Sequence, residues 1–180
     1  MLYPLSYEDA DSILAKSARS GYLPCSMPYL PFFVYGTLLP GEANFRLWRD
    51  AVQDIKPASL SGARLYDLGY FPMLVEGDGG EVRGMVGWVR PSSYGAALSL
   101  LDMLEGVRFP YPVGIGYHRS SRIVRLATGS TVVAWVYMGN PAAVVGRRPI
   151  MADWKTYRRR GIKSMYNLSL IHISEPTRPY

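Results

Sequence analysis

The apolar positions of this chain fall mainly in short aromatic and β-branched runs, which predict strands rather than long helices. Phe32–Tyr35 is the first. Ser59–Leu68 is the second, with Leu60, Gly62, Arg64 and Tyr66 on one face and Ala63, Leu65 and Asp67 on the other. Met73–Glu76 is a short third strand. Glu81–Val89 is a longer fourth, with Val82, Met85, Val86, Trp88 and Val89 buried on both sides. Ser121–Leu126 and Thr131–Tyr137 read as a hairpin across Ala127-Thr128-Gly129-Ser130. Two segments read as helices, Ala43 to about Asp50 and Tyr94–Leu104. In the second, Ala97, Leu98, Leu101 and Leu104 recur at helical spacing and Ser92 or Ser93 offers a cap. Successive strands with two inserted helices predict an α+β fold, a small mixed, barrel-like sheet with a few packed helices.

The flanks read differently. Residues 1–30 are expected to be an N-terminal extension, a surface arm with no catalytic role. In it Tyr7 to Ala18 is a short helix candidate capped by Ser6, and Pro24, Pro28 and Pro31 mark an extended linker. The main domain is expected over 31–158, followed by a basic segment, 159–167. From Leu168 the chain reads Leu-Ser-Leu-Ile-His-Ile-Ser-Glu-Pro-Thr-Arg. That run resembles the translation of a transposase-type sequencing adapter, so 168–180 is expected to be read-through, with the natural sequence lost near Asn167.

Composition narrows the classes. At 180 residues and 48% hydrophobic content, the chain suits one domain with a full core. A net charge of +6 permits an acidic partner, but the positives are scattered apart from Arg147-Arg148 and Lys155 to Lys163. A late basic run of this kind is expected to be a solvated face, so no nucleic-acid partner is expected. Cys25 is the single cysteine, which excludes an internal disulfide and fits a reducing compartment. No apolar run approaches the roughly 20 residues that span a bilayer, and Glu8, Asp9 and Asp11 occupy the place of a signal peptide's positive charges. The chain is expected to be cytoplasmic, with no membrane partner.

Candidate chemistry begins at VYGTLLPGEANF, residues 34–45, where a buried strand runs into a glycine turn able to present backbone N–H groups. Seventy residues on, Leu101-Asp102-Met103-Leu104-Glu105-Gly106 is a helix that ends on a carboxylate. No Cys/His ligand set and no phosphate-binding loop is present, so neither a metal nor a nucleotide cofactor is expected. With the tail set aside His118 is the remaining histidine, expected to be polar surface, which leaves a carboxylate as the acid/base candidate. The negative end of a helix and partial burial would both raise the pKa of Glu105, suiting a group that takes and returns a proton near neutrality. From spacing alone the plainer reading, an ordinary glutamate before a capping glycine, stands ahead. Asp102 reads as structural, an anchor for a neighbouring backbone N–H.

An ordered set of elements then resembles one family. These are Val34-Tyr35-Gly36-Thr37-Leu38 with Gly41-Glu42-Ala43-Asn44, Ala63 to Gly69 leading to Phe71-Pro72, and Val82-Arg83-Gly84. Leu101 to Gly106, Tyr117-His118-Arg119, Ala134 to Tyr137 and Asp153-Trp154 complete it. Together they resemble the γ-glutamylcyclotransferase-like (AIG2-like) superfamily over roughly 31–158. The resemblance implies a small mixed barrel and a cofactor-free reaction, in which a γ-glutamyl amine cyclises to 5-oxoproline and releases the amine. It further implies Glu105 as the proton carrier and a glutamyl cradle at Tyr35, Gly36, Thr37 and Leu38. Tyr117 would be a wall or hydroxyl donor to the ligand, and Arg119 a partner for a substrate carboxylate or, equally, for an internal acid. The family's frequent Gly-Asp-Trp is Ala152-Asp153-Trp154 here, and RFPYPVGIG after Val107 is longer and richer in proline than expected. Members act on γ-glutamyl amino acids, γ-glutamyl-ε-lysine, glutathione or γ-glutamyl-protected antibiotic intermediates, and nothing in the chain selects among them or fixes the oligomeric state. Two other readings stay open: a catalytically silent ligand- or protein-binding module, and a nucleic-acid-associated protein using Lys155, Arg158, Arg159, Arg160 and Lys163.

Overall fold

The computed structural model describes residues 29–107 and 116–161. The expected helix at Tyr7–Ala18, Pro24 and Pro28 of the linker, Cys25, most of the RFPYPVGIG stretch, Lys163 and the adapter-like tail lie outside the described residues.

Five strands close into a ring: β1 Phe32–Val34, β2 Val52–Asp67, β3 Pro72–Val89, β4 Tyr117–Leu126 and β5 Thr131–Gly139. Around the ring the order is β3-β1-β5-β4-β2, and β2 pairs back onto β3 to close it. A two-residue strand, β6 Pro149–Ile150, adds to β2. The pairings are antiparallel except that of β1 with β5, which is parallel, with Phe32 opposite Trp135 and Phe33 opposite Val136. This is the mixed, barrel-like α+β sheet the strand pattern predicts.

The alternation of side chains sorts the core into two layers. Phe33, Leu60, Ala63, Leu65, Leu74, Val82, Val86, Val124, Ala134 and Val136 form a cluster with Trp154. A second layer joins Phe32, Val34 and Val89 to Tyr94, Ala97 and Leu101 of helix α1, Tyr94–Leu104. β1 is only three residues long, but all three are buried, contributing to both layers. A second helix, α2, covers residues 154–161. Asp153 caps it by accepting from the Thr156 N–H at 2.9 Å. Three of its basic residues make internal contacts: Lys155 donates to the Pro40 carbonyl, Arg159 to the Lys155 carbonyl at 3.3 Å, and Arg158 lies over Trp154.

Several expectations are corrected. The second strand starts at Val52, not Ser59, and the third and fourth are one continuous strand, β3. Pairing passes from Ser61 opposite Glu81 to Ala63 opposite Glu76, so residues 77–80 fall outside the register across from Gly62. Gly62 sits at φ +76°, a left-handed conformation that favours glycine. This bulge puts Leu60 and Leu65 in the same buried cluster, where unbroken alternation would separate them. The helix expected from Ala43 to Asp50 is instead two 3-10 turns, Phe45–Leu47 and Arg49–Ala51. Met85 and Trp88 are only partly buried. No serine side chain caps α1; a 3-10 turn over Pro91–Ser93 leads into it. Among the described residues no helix is long and apolar enough to cross a membrane.

Candidate active site

The site begins where β1 runs out. Beyond Val34 the chain turns back on itself: the Gly36 carbonyl accepts from the Leu39 N–H at 3.1 Å, and that of Thr37 from the Asn44 N–H at 2.9 Å. The Asn44 side-chain amide donates to the Thr37 hydroxyl at 3.0 Å, and the Trp48 indole N–H to the Leu38 carbonyl at 3.1 Å. The carbonyls of the turn are thereby occupied within the loop. Its donors are not, since none of the N–H groups of Gly36, Thr37 and Leu38 donates to another described residue. A Cβ at Gly36 would stand 2.6 Å from Pro72 Cγ, so the bare backbone is what lets β3 pack against the turn.

Glu105 approaches from α1. Its N–H donates to the Leu101 carbonyl at 3.0 Å as the helix ends, and Gly106 follows at φ +67°. The side chain lines a cavity of about 510 Å³, shared with Tyr35, Gly36, Thr37, Leu38, Asn44 and Tyr117. Phe71, Pro72 and Met73 supply apolar wall at the start of β3, and Leu104, last of the helix's apolar stripe, also reaches it. Among the described residues no Lys or Arg pairs with Glu105. Burial alone pushes its carboxyl up to about 7, because desolvation penalises the charged form.

Three tyrosines stand in the same cavity, and each donates its hydroxyl to the protein. Tyr35 donates to the Tyr137 carbonyl at 2.7 Å, Tyr117 to the Pro72 carbonyl at 2.8 Å, and Tyr137 to Asp102 Oδ1 at 2.8 Å. Burial first raises all three phenols, followed by Tyr117 and Glu105 for Tyr35, Glu105 for Tyr117 and Asp102 for Tyr137. Tyr117 thus lines the cavity with its hydroxyl donated to the Pro72 carbonyl.

Of the two partners expected for Arg119, an internal acid is the one that stands beside it, and Arg119 is not among the cavity's lining residues. Its Nε lies 2.9 Å from Asp102 Oδ1, with the two side chains 12% and 18% exposed, and its guanidinium stacks over Trp135 at 4.5 Å. The Nε contact is close without being aligned as a hydrogen bond, so charge holds the pair together. Asp102 accordingly anchors side chains rather than a backbone N–H. His118 is half-buried on β4, held below the usual imidazole range by burial and then by Arg122, and does not line the cavity. The sequence reading missed Asn44 as the brace of the turn and the grouping of Asp102, Arg119 and Tyr137. Asn44 stood within the motif; the grouping depends on which side of each strand faces α1, and no spacing shows that.

Residues 32–156 match the family model described as gamma-glutamyl cyclotransferase, AIG2-like. Among solved structures, YkqA from Bacillus subtilis is 24% identical, covering 74% of this chain and 42% of that one, with a TM-score of 0.56. This chain thus spans about two fifths of the length of YkqA. An aig2-like protein (a2ld1, ggact) from Mus musculus is 22% identical over 68% of this chain and 86% of its own, with a TM-score of 0.51. At3g28950.1 from Arabidopsis thaliana is 24% identical over 79% of each chain, with a TM-score of 0.50. At such identities these likenesses show the fold alone. No curated protein matches the chain significantly. The family match spans well over half of the chain and takes in the glycine turn, Glu105 and every strand of the ring, so the chain belongs to the gamma-glutamyl cyclotransferase, AIG2-like family.

Proposed function

We propose that the protein is a γ-glutamylcyclotransferase-type enzyme that converts a γ-glutamyl amine to 5-oxoproline and the free amine, using Glu105 as base and then acid. The observation that carries this reading is one cavity holding a buried carboxyl near pKa 7, which no described Lys or Arg pairs, and a turn whose N–H groups at Gly36, Thr37 and Leu38 donate to no described residue. Its volume falls in the range of small-molecule sites.

The reaction is an internal acyl transfer. The substrate's α-amino nitrogen forms a bond to its γ-carbonyl carbon as Glu105 takes a proton from that nitrogen. The carbonyl oxygen becomes an oxyanion, which N–H groups of Gly36, Thr37 and Leu38 are suited to receive. Collapse breaks the original amide C–N bond as Glu105 returns the proton to the departing amine. Atoms balance with no water consumed and no cofactor. Because nucleophile and electrophile belong to one molecule, the protein's task is to fold the chain of the substrate and to move one proton. The near-neutral carboxyl is matched to both halves of that task.

The test is 5-oxoproline release from a panel of γ-glutamyl-alanine, γ-glutamyl-ε-lysine and glutathione, comparing wild type with Glu105→Gln. Release by wild type alone supports the reading. No release from any member by folded wild-type protein would shift the reading to a silent binding module.

A further inference from the structure

Asp102 lies three residues before Glu105, a spacing that sets two helical side chains on one face about 5–6 Å apart at Cβ. An anionic Asp102 alone would therefore repel a charge on Glu105. Arg119, reaching from β4, lies against it at 2.9 Å. The same carboxylate oxygen accepts a hydrogen bond from the Tyr137 hydroxyl at 2.8 Å, and Tyr137 lines the cavity of Glu105. Asp102 and Arg119 thus stand behind the cavity wall, connected to it through one tyrosine.

We propose that Asp102 and Arg119 are positioning residues for Glu105: each cancels the other's charge one helical turn away, and together they hold the Tyr137 hydroxyl on Asp102. The idea rests on Glu105 being the proton carrier of the site. The other titratable groups bearing on Glu105 among the described residues are Tyr35 beyond β1, Tyr117 on β4 and Tyr137 on β5. The first two donate to backbone carbonyls, so the Tyr137 hydroxyl is the one whose acceptor is itself ionisable. Loss of Arg119 leaves a bare carboxylate near Glu105. Loss of the Asp102 charge leaves a bare guanidinium and a phenol freer to donate elsewhere. The two changes act on Glu105 with opposite sign.

The experiment is a carboxyl-carbon NMR titration of glutamate-labelled protein, with the Glu105 signal identified by its loss in Glu105→Gln. Arg119→Met is expected to raise the Glu105 midpoint by about one pH unit and Asp102→Asn to lower it by about as much. The double variant should return close to wild type, and Arg119→Lys should stay within a few tenths of it. Unchanged midpoints, or single variants moving the same way, would overturn the proposal; Asp102→Asn and Arg119→Lys carry the test if Arg119→Met does not fold. The acid limb of kcat/KM for 5-oxoproline release is followed in parallel. Opposite midpoint shifts without turnover would sustain the electrostatic pairing and remove the catalytic reading. Turnover with fixed midpoints would do the reverse.

Discussion

The Tyr35 hydroxyl donates to the backbone carbonyl of Tyr137 at 2.7 Å, one position beyond the last paired residues of the parallel β1–β5 ladder. A side chain thus extends the strand pairing to the mouth of the glycine turn. Tyr137 in turn reaches Asp102 on α1, so the turn, the cavity wall and the helix carrying Glu105 form one connected piece. Tyr35→Phe should cost about 1–3 kcal/mol, because it strands a buried carbonyl without its donor. Urea unfolding would check this; a loss under about 0.3 kcal/mol would show that the bond does not brace the turn.

Glu105→Gln should lower kcat for 5-oxoproline release by about 10²- to 10⁴-fold, the usual worth of a general acid–base group. KM should move little, since the amide keeps the shape of the side chain. Steady-state kinetics beside a circular dichroism spectrum separates loss of chemistry from loss of fold.

Stability should depend on pH through the same carboxyl. Unfolded, Glu105 releases its proton near 4.5; folded, near 7. Between those values the folded chain keeps a proton that the unfolded chain has lost, so this group lowers stability as pH rises across the window and not beyond it. Glu105→Gln escapes the loss. The variant should match wild type at pH 4 and exceed it at pH 8 by on the order of 2–3 kcal/mol. Denaturant midpoints at the two pH values test this, and equal stabilities at pH 8 would contradict it.

Backbone demands differ at two glycines. Gly36→Ala should cost about 1–3 kcal/mol of overpacking against Pro72 and, by displacing the turn, lower kcat/KM at least tenfold. At Gly62 nothing lies within 4 Å of an added Cβ, so Gly62→Ala should cost about 1–2 kcal/mol from its positive φ alone, with activity retained. Thermal melts with kinetics on both variants distinguish the cases: a Gly62 variant that loses activity would show that the bulge reaches the site.

What the sequence made legible follows from how local each signal is. Helix α1 was readable to both ends because Ala97 and Leu101 repeat on one face and Gly106 closes it. The β4–β5 hairpin was readable from two runs around Gly129. Gly77 to Gly80 looked like the gap between two strands, because turn chemistry and bulge chemistry use the same residues. Phe45, Trp48 and Ala51 repeat every third position, a 3-10 signature easily taken for an α-helix. At the site, the glycine turn and Glu105 stand within the motifs that carry the family resemblance, and both line the cavity. Arg119 could not, since a charged residue on a strand faces a cavity or an acid according to which neighbours the closed ring supplies.

The brevity of β1 has a consequence for altering this protein. Its three residues are clamped between β3 and β5 and packed on both faces, so the strand that leads into the glycine turn cannot shift without disturbing the ring. Leu68, Phe71 and Leu104 also line the cavity, where β2 passes to β3 and where α1 ends, and Phe71 and Leu104 are open to solvent. Libraries intended to change what the cavity accepts should be built on those exposed residues, with the turn held constant.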